Sequence, residues 1–322
     1  MSNLIPDHVL VYDVGGSHIS AALCTEETYS LRGLTRAPLP SEFSAASFGR
    51  LIHTLGDHAA QLTAKTSLEE PANIVGACLA MPGPFDYENG ISHMQHKLHS
   101  LYEFDLKSAL AARFAWQNDQ VRFVNDAAAF LLGEVGAGSA KGYSRAIGLT
   151  LGTGIGAAFA IDQHIVTTGT GVPPGGEIWN APYNGATVED FVSTRFLRQQ
   201  YQKLTGLNAE VSAIAETAQG NQPCPEIEVS SKPDPNDAHC RARQAFQDFG
   251  RHLGLALNQH AAHFAPDVIV LGGGIARASQ LFLPATRKVL SASIKAEIVI
   301  SSLMDEAPLA GAGVHWFNSR TA

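Results

Sequence analysis

Val9-Leu10-Val11-Tyr12-Asp13-Val14-Gly15-Gly16-Ser17 lies near the start of the sequence, and Ala146-Ile147-Gly148-Leu149-Thr150-Leu151-Gly152-Thr153-Gly154 repeats its pattern near the middle. In both, an apolar run meets a glycine turn, and a second apolar run follows at 18–24 or 155–161. Strand, glycine turn and strand make a hairpin. A dinucleotide fingerprint is excluded, because its third glycine has to open a helix. Two copies of one hairpin, one in each half of the chain, predict a duplicated architecture with a central cleft between two lobes.

Outward from these hairpins, apolar runs predict strands at 74–80, 121–124, 268–271 and 298–301. Apolar residues at helical spacing predict helices at 45–64, 105–114, 127–135 and 237–264, the last capped by Asn236 or Asp237 and stopped by Pro266. Strands alternating with helices define an α/β protein. A third glycine cluster, Gly272-Gly273-Gly274, is followed by residues 275–278, which can start a helix. The segment 221–237, with Pro223, Pro225, Pro233 and Pro235, is expected as a surface loop. The domain boundary is expected near Asn125, with a smaller α/β lobe over 1–124, completed by a C-terminal helix at 308–322, and a larger α/β lobe over 125–307.

Composition narrows the partners. The 322 residues are 45% hydrophobic and 16% charged, which supplies a core and excludes a disordered chain. Net charge is −8 and no block of like charges occurs, so the basic footprint of a nucleic-acid binder is absent. No run approaches the ~18 apolar residues that span a bilayer, and no basic segment leads into an apolar one at the N-terminus. A soluble, cytoplasmic protein is expected. Cys24, Cys78, Cys224 and Cys240 form no CxxC pair, so idle thiols in a reducing compartment are expected rather than a disulfide scaffold or zinc ribbon.

Several residues can carry chemistry. Asp13 closes a strand beside Gly15, Gly16 and Ser17, where side-chain-free backbone lets a phosphate approach oriented amides and Asp13 can orient Mg²⁺. Gly-Gly is also common in ordinary tight hairpins. Gly152-Thr153-Gly154 repeats the device and adds a hydroxyl, while Gly273 and Gly274 offer a flat wall for a base and ribose. Asn125-Asp126 stands between a strand and a helix. One of the pair can be a plain N-cap, and Asp126 can be a general base for a hydroxyl attacking a phosphoryl group. Glu177, Asn180 and Glu189 supply acceptors and donors for a polyhydroxylated ligand, although Glu189 could be a solvated helix residue and Trp179 a core residue. Among 13 histidines, His93, His96 and His99 recur every three residues and His260–His263 form an HxxH pair, which packing or surface exposure explains better than metal ligation.

Together these motifs resemble the ROK family of sugar kinases and sugar-sensing repressors, whose fold is the two-lobed, ribonuclease H-like, actin-like ATPase fold. Asp13-Val14-Gly15-Gly16-Ser17 is similar to the family's first phosphate loop, and Met81-Pro82-Gly83-Pro84-Phe85-Asp86 to its PGP loop near the sugar. Asn125-Asp126 resembles the catalytic ND pair, and Leu151-Gly152-Thr153-Gly154-Ile155-Gly156 the second phosphate loop. Gly176-Glu177 resembles the start of GExGH, Val188-Glu189 the later sugar-binding pair, and 271–274 the adenosine loop. The resemblance implies transfer of the γ-phosphoryl of Mg-ATP to a hexose hydroxyl, the 6-OH, with Asp126 as base. It also implies that Gly83, Asn125, Asp126, Glu177, Asn180 and Glu189 hold the sugar, that domain closure excludes water, and that the protein is a homodimer.

The chain also departs from the family pattern. No cysteine occurs in 181–188, so no structural zinc is expected. Trp179-Asn180 replaces the Gly-His of GExGH, His18 replaces the lysine of the first loop, and His96-Lys97-Leu98 stands where glucokinases carry Asn-Leu. These changes surround the sugar, so a hexose derivative is as compatible as glucose, and His93, His96 and Lys97 are possible substrate contacts. The alternative is a sugar-binding regulator without kinase activity. The family's repressors usually carry an N-terminal DNA-binding domain, and only a few residues precede Val9.

Overall fold

The computed structural model describes residues 7–66, 72–95, 98–220 and 238–320. By its contacts the chain divides into one unit of Met1–Tyr143, Asp162–Ile165 and Ser301–Ala322, and a second of Ser144–Ile161 and Val166–Ile300.

In the first unit the strands Asp7–Val14 and His18–Thr25 form the predicted antiparallel hairpin, with Val14 opposite Ile19. Leu31–Pro38 extends it on one side as a third antiparallel strand. On the other side Asn73–Met81 and then Val121–Asn125 run parallel, pairing Asp13 with Ala80 and Met81 with Asn125. The register therefore brings Asp13, Met81 and Asn125 to one end of the sheet. The strands Asp7–Val14, His18–Thr25 and Asn73–Met81 are buried along most of their length, as expected of strands covered on both faces.

The second unit repeats the plan. Arg145–Leu151 and Ile155–Ile161 make a hairpin with Leu151 opposite Ile155, and Val268–Gly272 then Glu297–Ile300 run parallel beside it. Gly272 pairs with Thr150, which sets the third glycine cluster beside the second hairpin turn. The long helix Ala238–His260 buries Phe246, Phe249 and Leu253 in this unit's core. Its expected cap at Asn236 or Asp237 lies outside the described residues. Residues 275–278 form a 3-10 turn rather than the start of the α-helix, which begins at Ser279.

The helix Asp126–Ala137 belongs to the first unit, where the sequence placed a boundary at Asn125. The reason is its seat against the C-terminal helix Ala307–Asn318. A Cβ at Gly311 would stand 1.7 Å from the Ala129 carbonyl oxygen, and one at Gly133 would stand 2.1 Å from that of Ala307. The two helices thus touch backbone to backbone. Glu134, fully buried on the same helix, accepts hydrogen bonds from Ser301 Oγ at 2.5 Å, the Leu303 amide at 3.2 Å and the Ser139 amide at 2.7 Å. It pins the helix to the segment that leads into the C-terminal helix. Such long-range pairing has no local sequence signature.

Cys24 and Cys78 are buried thiols, and burial pushes Cys24 up to about 12 and Cys78 further in the same direction. Cys240 is disulfide-bonded, so the expectation of buried or idle thiols holds for Cys24 and Cys78 and fails for Cys240. Cys224 lies outside the described residues. No helix among the described residues is long and apolar enough to cross a membrane.

Gly311→Ala is expected to lower the free energy of unfolding by about 3 kcal/mol, because two backbones would have to separate. Gly49→Ala adds a methyl that meets only Arg113, at 3.6 Å, and is expected to be neutral or stabilising. Urea unfolding of both variants checks the contrast.

Candidate functional site

In the first unit the candidate residues gather at the sheet end described above. Asn125 caps the helix Asp126–Ala137 by accepting from the Ala128 amide at 3.0 Å, and Asp126 Oδ1 accepts from the Ala127 amide at 2.9 Å. A capping role for the pair is therefore realised, and it fixes Asp126 in the positive field of a helix N-terminus, where an ionised carboxylate is favoured. The Asn125 side-chain amide also donates to Tyr87 Oη at 3.0 Å, and Tyr87 donates to the Met81 carbonyl at 3.2 Å. A Cβ at Gly83 would lie 3.4 Å from the same Tyr87 oxygen, and the Gly83–Pro84 bond is cis. Tyr87 thus ties the PGP loop to Asn125, a connection that the sequence reading missed.

Asp13 is the electrostatic centre of this unit. Burial first, then the Asp126 and Asp305 carboxylates, push its carboxyl up to about 7, with Arg36 pulling the other way. Asp305 precedes the C-terminal helix, and nothing in the local sequence marks it. The three carboxylates concentrate negative potential at this sheet end, which suits a hydrated magnesium carried in with phosphate, the ion that the family resemblance implies, rather than one ligated directly by these side chains. The turn beside Asp13 is closed by the Gly15 amide donating to the His18 carbonyl at 2.9 Å. That amide is therefore already paired within the turn. Gly16 and Ser17 are exposed, Ser17 Oγ meets His18 Nδ1 at 2.8 Å, and a Cβ at Gly16 would meet nothing within 4 Å. The fold itself therefore does not require glycine at position 16.

The second unit carries the matching turn. The Gly152 amide donates to the Gly154 carbonyl at 3.0 Å, closing the loop on itself as Gly15 does, and Thr153 is exposed. Gly273, at φ +82°, packs so that a Cβ would stand 2.5 Å from the Leu151 carbonyl, whereas Gly274 faces open space. Glu189 is half-buried, and its Oε2 accepts from the Ile155 amide at 3.3 Å against Gly154. Glu177 Oε2 accepts from the Trp179 indole N–H at 2.7 Å, and the Glu189 amide donates to the Trp179 carbonyl at 3.0 Å. Trp179 is exposed rather than part of the core. One linked group thus runs from Glu177 through Trp179 and Glu189 to the glycine turn.

Asn180 is exposed and, with Glu177, Pro173, Pro182, Gln259 and His260, lines a cavity of about 440 Å³. Burial holds His260 below the ordinary histidine range. No group of three or more His, Cys, Asp or Glu among the described residues is placed to hold a metal ion. His93 is exposed, and its amide donates to the Pro84 carbonyl at 3.1 Å; His96 and Lys97 lie outside the described residues.

The ROK family profile matches residues 9–318. The chain belongs to the ROK family. A glucokinase from Thermotoga maritima is 28% identical over 319 residues, covering 93% of this chain and 94% of its own. A ROK hexokinase from Thermus thermophilus superposes with a TM-score of 0.74 at 20% identity, over 98% of this chain and 100% of that one. A ROK glucokinase from Streptomyces griseus, solved with glucose and AMPPNP, superposes with a TM-score of 0.69 at 20% identity, over 95% and 98%. The ROK chain therefore has the α/β, actin-like ATPase fold of these kinases.

Adjacent glycines of this site should respond oppositely to alanine. Gly273→Ala is expected to lower stability by about 2–3 kcal/mol through strain and backbone contact. Gly274→Ala should stay within about 0.5 kcal/mol of the parent. Chemical denaturation of the two proteins measures both.

Proposed function

We propose that this protein is a sugar kinase that transfers the γ-phosphoryl group of Mg-ATP to a hexose or hexose derivative, at the 6-OH. The observation that carries the proposal is Asp126, a carboxylate held at a helix N-terminus beside a capping Asn125, in a ROK-family chain. The 28% identical relative is a glucokinase, and the Streptomyces griseus relative was solved with glucose and an ATP analogue.

Phosphoryl transfer asks little covalent chemistry of a protein and much positioning. Asp126, held at the helix N-terminus, accepts the proton of the sugar hydroxyl as its oxygen bonds to phosphorus and ADP departs. In the first unit Asn125 and Gly83 would hold the sugar, and in the second Glu177, Asn180 and Glu189 would accept or donate to its hydroxyls. The amides and hydroxyls of Gly16, Ser17, Thr153 and Gly154 would cradle phosphate oxygens. Gly15 and Gly152 would shape the two turns, and Gly273 and Gly274 would leave a side-chain-free wall for the adenosine. Asp13 would hold magnesium through its waters, with Asp126 and Asp305 adding negative potential. Bound there, the ion neutralises charge developing on the phosphoryl oxygens. The absence of a membrane-spanning helix among the described residues and of a basic run is consistent with a cytoplasmic enzyme acting on a small molecule.

ADP release with Mg-ATP, measured against hexoses, amino sugars and N-acylated sugars, tests the proposal. At least one sugar should stimulate the wild type. Asp126→Asn should reduce that stimulated rate roughly 100- to 10,000-fold, the usual range for loss of a general base, with nucleotide binding retained. Near-normal turnover by the variant would assign the base elsewhere, and no stimulation by any sugar would overturn the kinase.

A further inference from the structure

Trp179 contacts both candidate sugar-binding acids of the second unit, one by its side chain and one by its backbone. Its indole N–H donates to Glu177 Oε2 at 2.7 Å, and its backbone carbonyl receives the Glu189 amide at 3.0 Å. The residue is nevertheless 43% exposed. The chain has only three tryptophans, and the other two have packing partners: Trp316 is 3% exposed, and Trp116 stacks on Phe114 with ring centroids 4.4 Å apart.

An exposed indole whose N–H is already bonded offers solvent only its apolar surface. Turning that ring away would break a hydrogen bond to a carboxylate, which is among the stronger kinds. The bond also divides the work of Glu177. One carboxylate oxygen serves the indole, and Oε1 remains to accept from a ligand. A flat apolar face held beside the Glu177 carboxylate is complementary to a pyranose, whose hydroxyls project from the ring edge and whose C–H groups line its faces. That carboxylate repels an anionic ligand.

We infer that Trp179 is a specificity-determining residue that selects neutral pyranoses, stacking on their C–H face while holding Glu177 to a single hydroxyl. The inference rests on the proposal that Glu177 and Glu189 bind sugar. It accounts for a tryptophan at a place where the family pattern has glycine: the added side chain fills no core and instead positions a ligand-facing carboxylate.

The test compares wild type, Trp179→Phe and Trp179→Ala with glucose, N-acetylglucosamine, glucuronic acid and sorbitol. Phenylalanine keeps an apolar face and loses the N–H; alanine loses both. For the preferred sugar, KM should rise about three- to tenfold with phenylalanine and more than tenfold with alanine. KM for ATP and the thermal midpoint should stay unchanged. Glucuronic acid and sorbitol should be poor substrates of the wild type.

Equal sugar KM in all three proteins would overturn the inference. So would a joint loss of sugar affinity, ATP affinity and thermal stability, which signals a structural role. Efficient use of glucuronic acid or sorbitol would overturn the selectivity. Trp179 fluorescence, taken as the wild-type signal minus that of Trp179→Phe, reads sugar binding without turnover. A sugar-dependent change without phosphorylation upholds Trp179 and overturns the kinase. Phosphorylation that is indifferent to Trp179 does the reverse, and neither signal overturns both.

Discussion

Asp13 is a buried carboxylate with two further carboxylates acting on it. It sits at the end of a strand whose register is fixed on both sides, so it cannot move away from the Asp126 and Asp305 carboxylates that face it. Burial and those neighbours disfavour its ionised form, so between the ordinary carboxyl range and about pH 7 the folded chain binds more proton at Asp13 than the unfolded chain does. Stability from this group therefore falls as pH rises from the ordinary carboxyl range toward 7.

The remaining geometry follows from how the helix bearing Asp126 is held. Its N-terminus is capped by Asn125, its middle lies against the backbone of the C-terminal helix through Gly133 and Gly311, and its last turn is anchored by Glu134. A buried carboxylate with three donors is costly to disturb, since each donor would be left unpaired. These contacts restrain the backbone that carries Asp126. In the second unit the analogous precision comes from Trp179 and Ile155, which hold the two carboxylates by one hydrogen bond each.

Elements with a strong local pattern were legible in the sequence. Both hairpins, the parallel strands and the long helix Ala238–His260 carry apolar periodicity and glycine or proline punctuation, and they appear where these signals place them. Asn125-Asp126 was legible for the same reason, as a polar pair between a strand and a helix. What escaped depends on contacts between distant residues. The strand Leu31–Pro38 alternates between half-buried and exposed residues and has no continuous apolar run. Tyr87 and Asp305 acquire meaning only when the sheet end gathers them, and the attachment of the helix Asp126–Ala137 to the first unit rests on glycines near the C-terminus. Trp179 was visible as a departure from the family pattern, but its bond to Glu177 was not.

The proposed cation-dependent phosphate site at Asp13 is tested by the unfolding midpoint of Asp13→Asn, with and without Mg-ATP. The expected variant is at least as stable as the wild type when no nucleotide is present and gains no further stability when Mg-ATP is added. A variant less stable than the wild type that Mg-ATP still stabilises fully would contradict it.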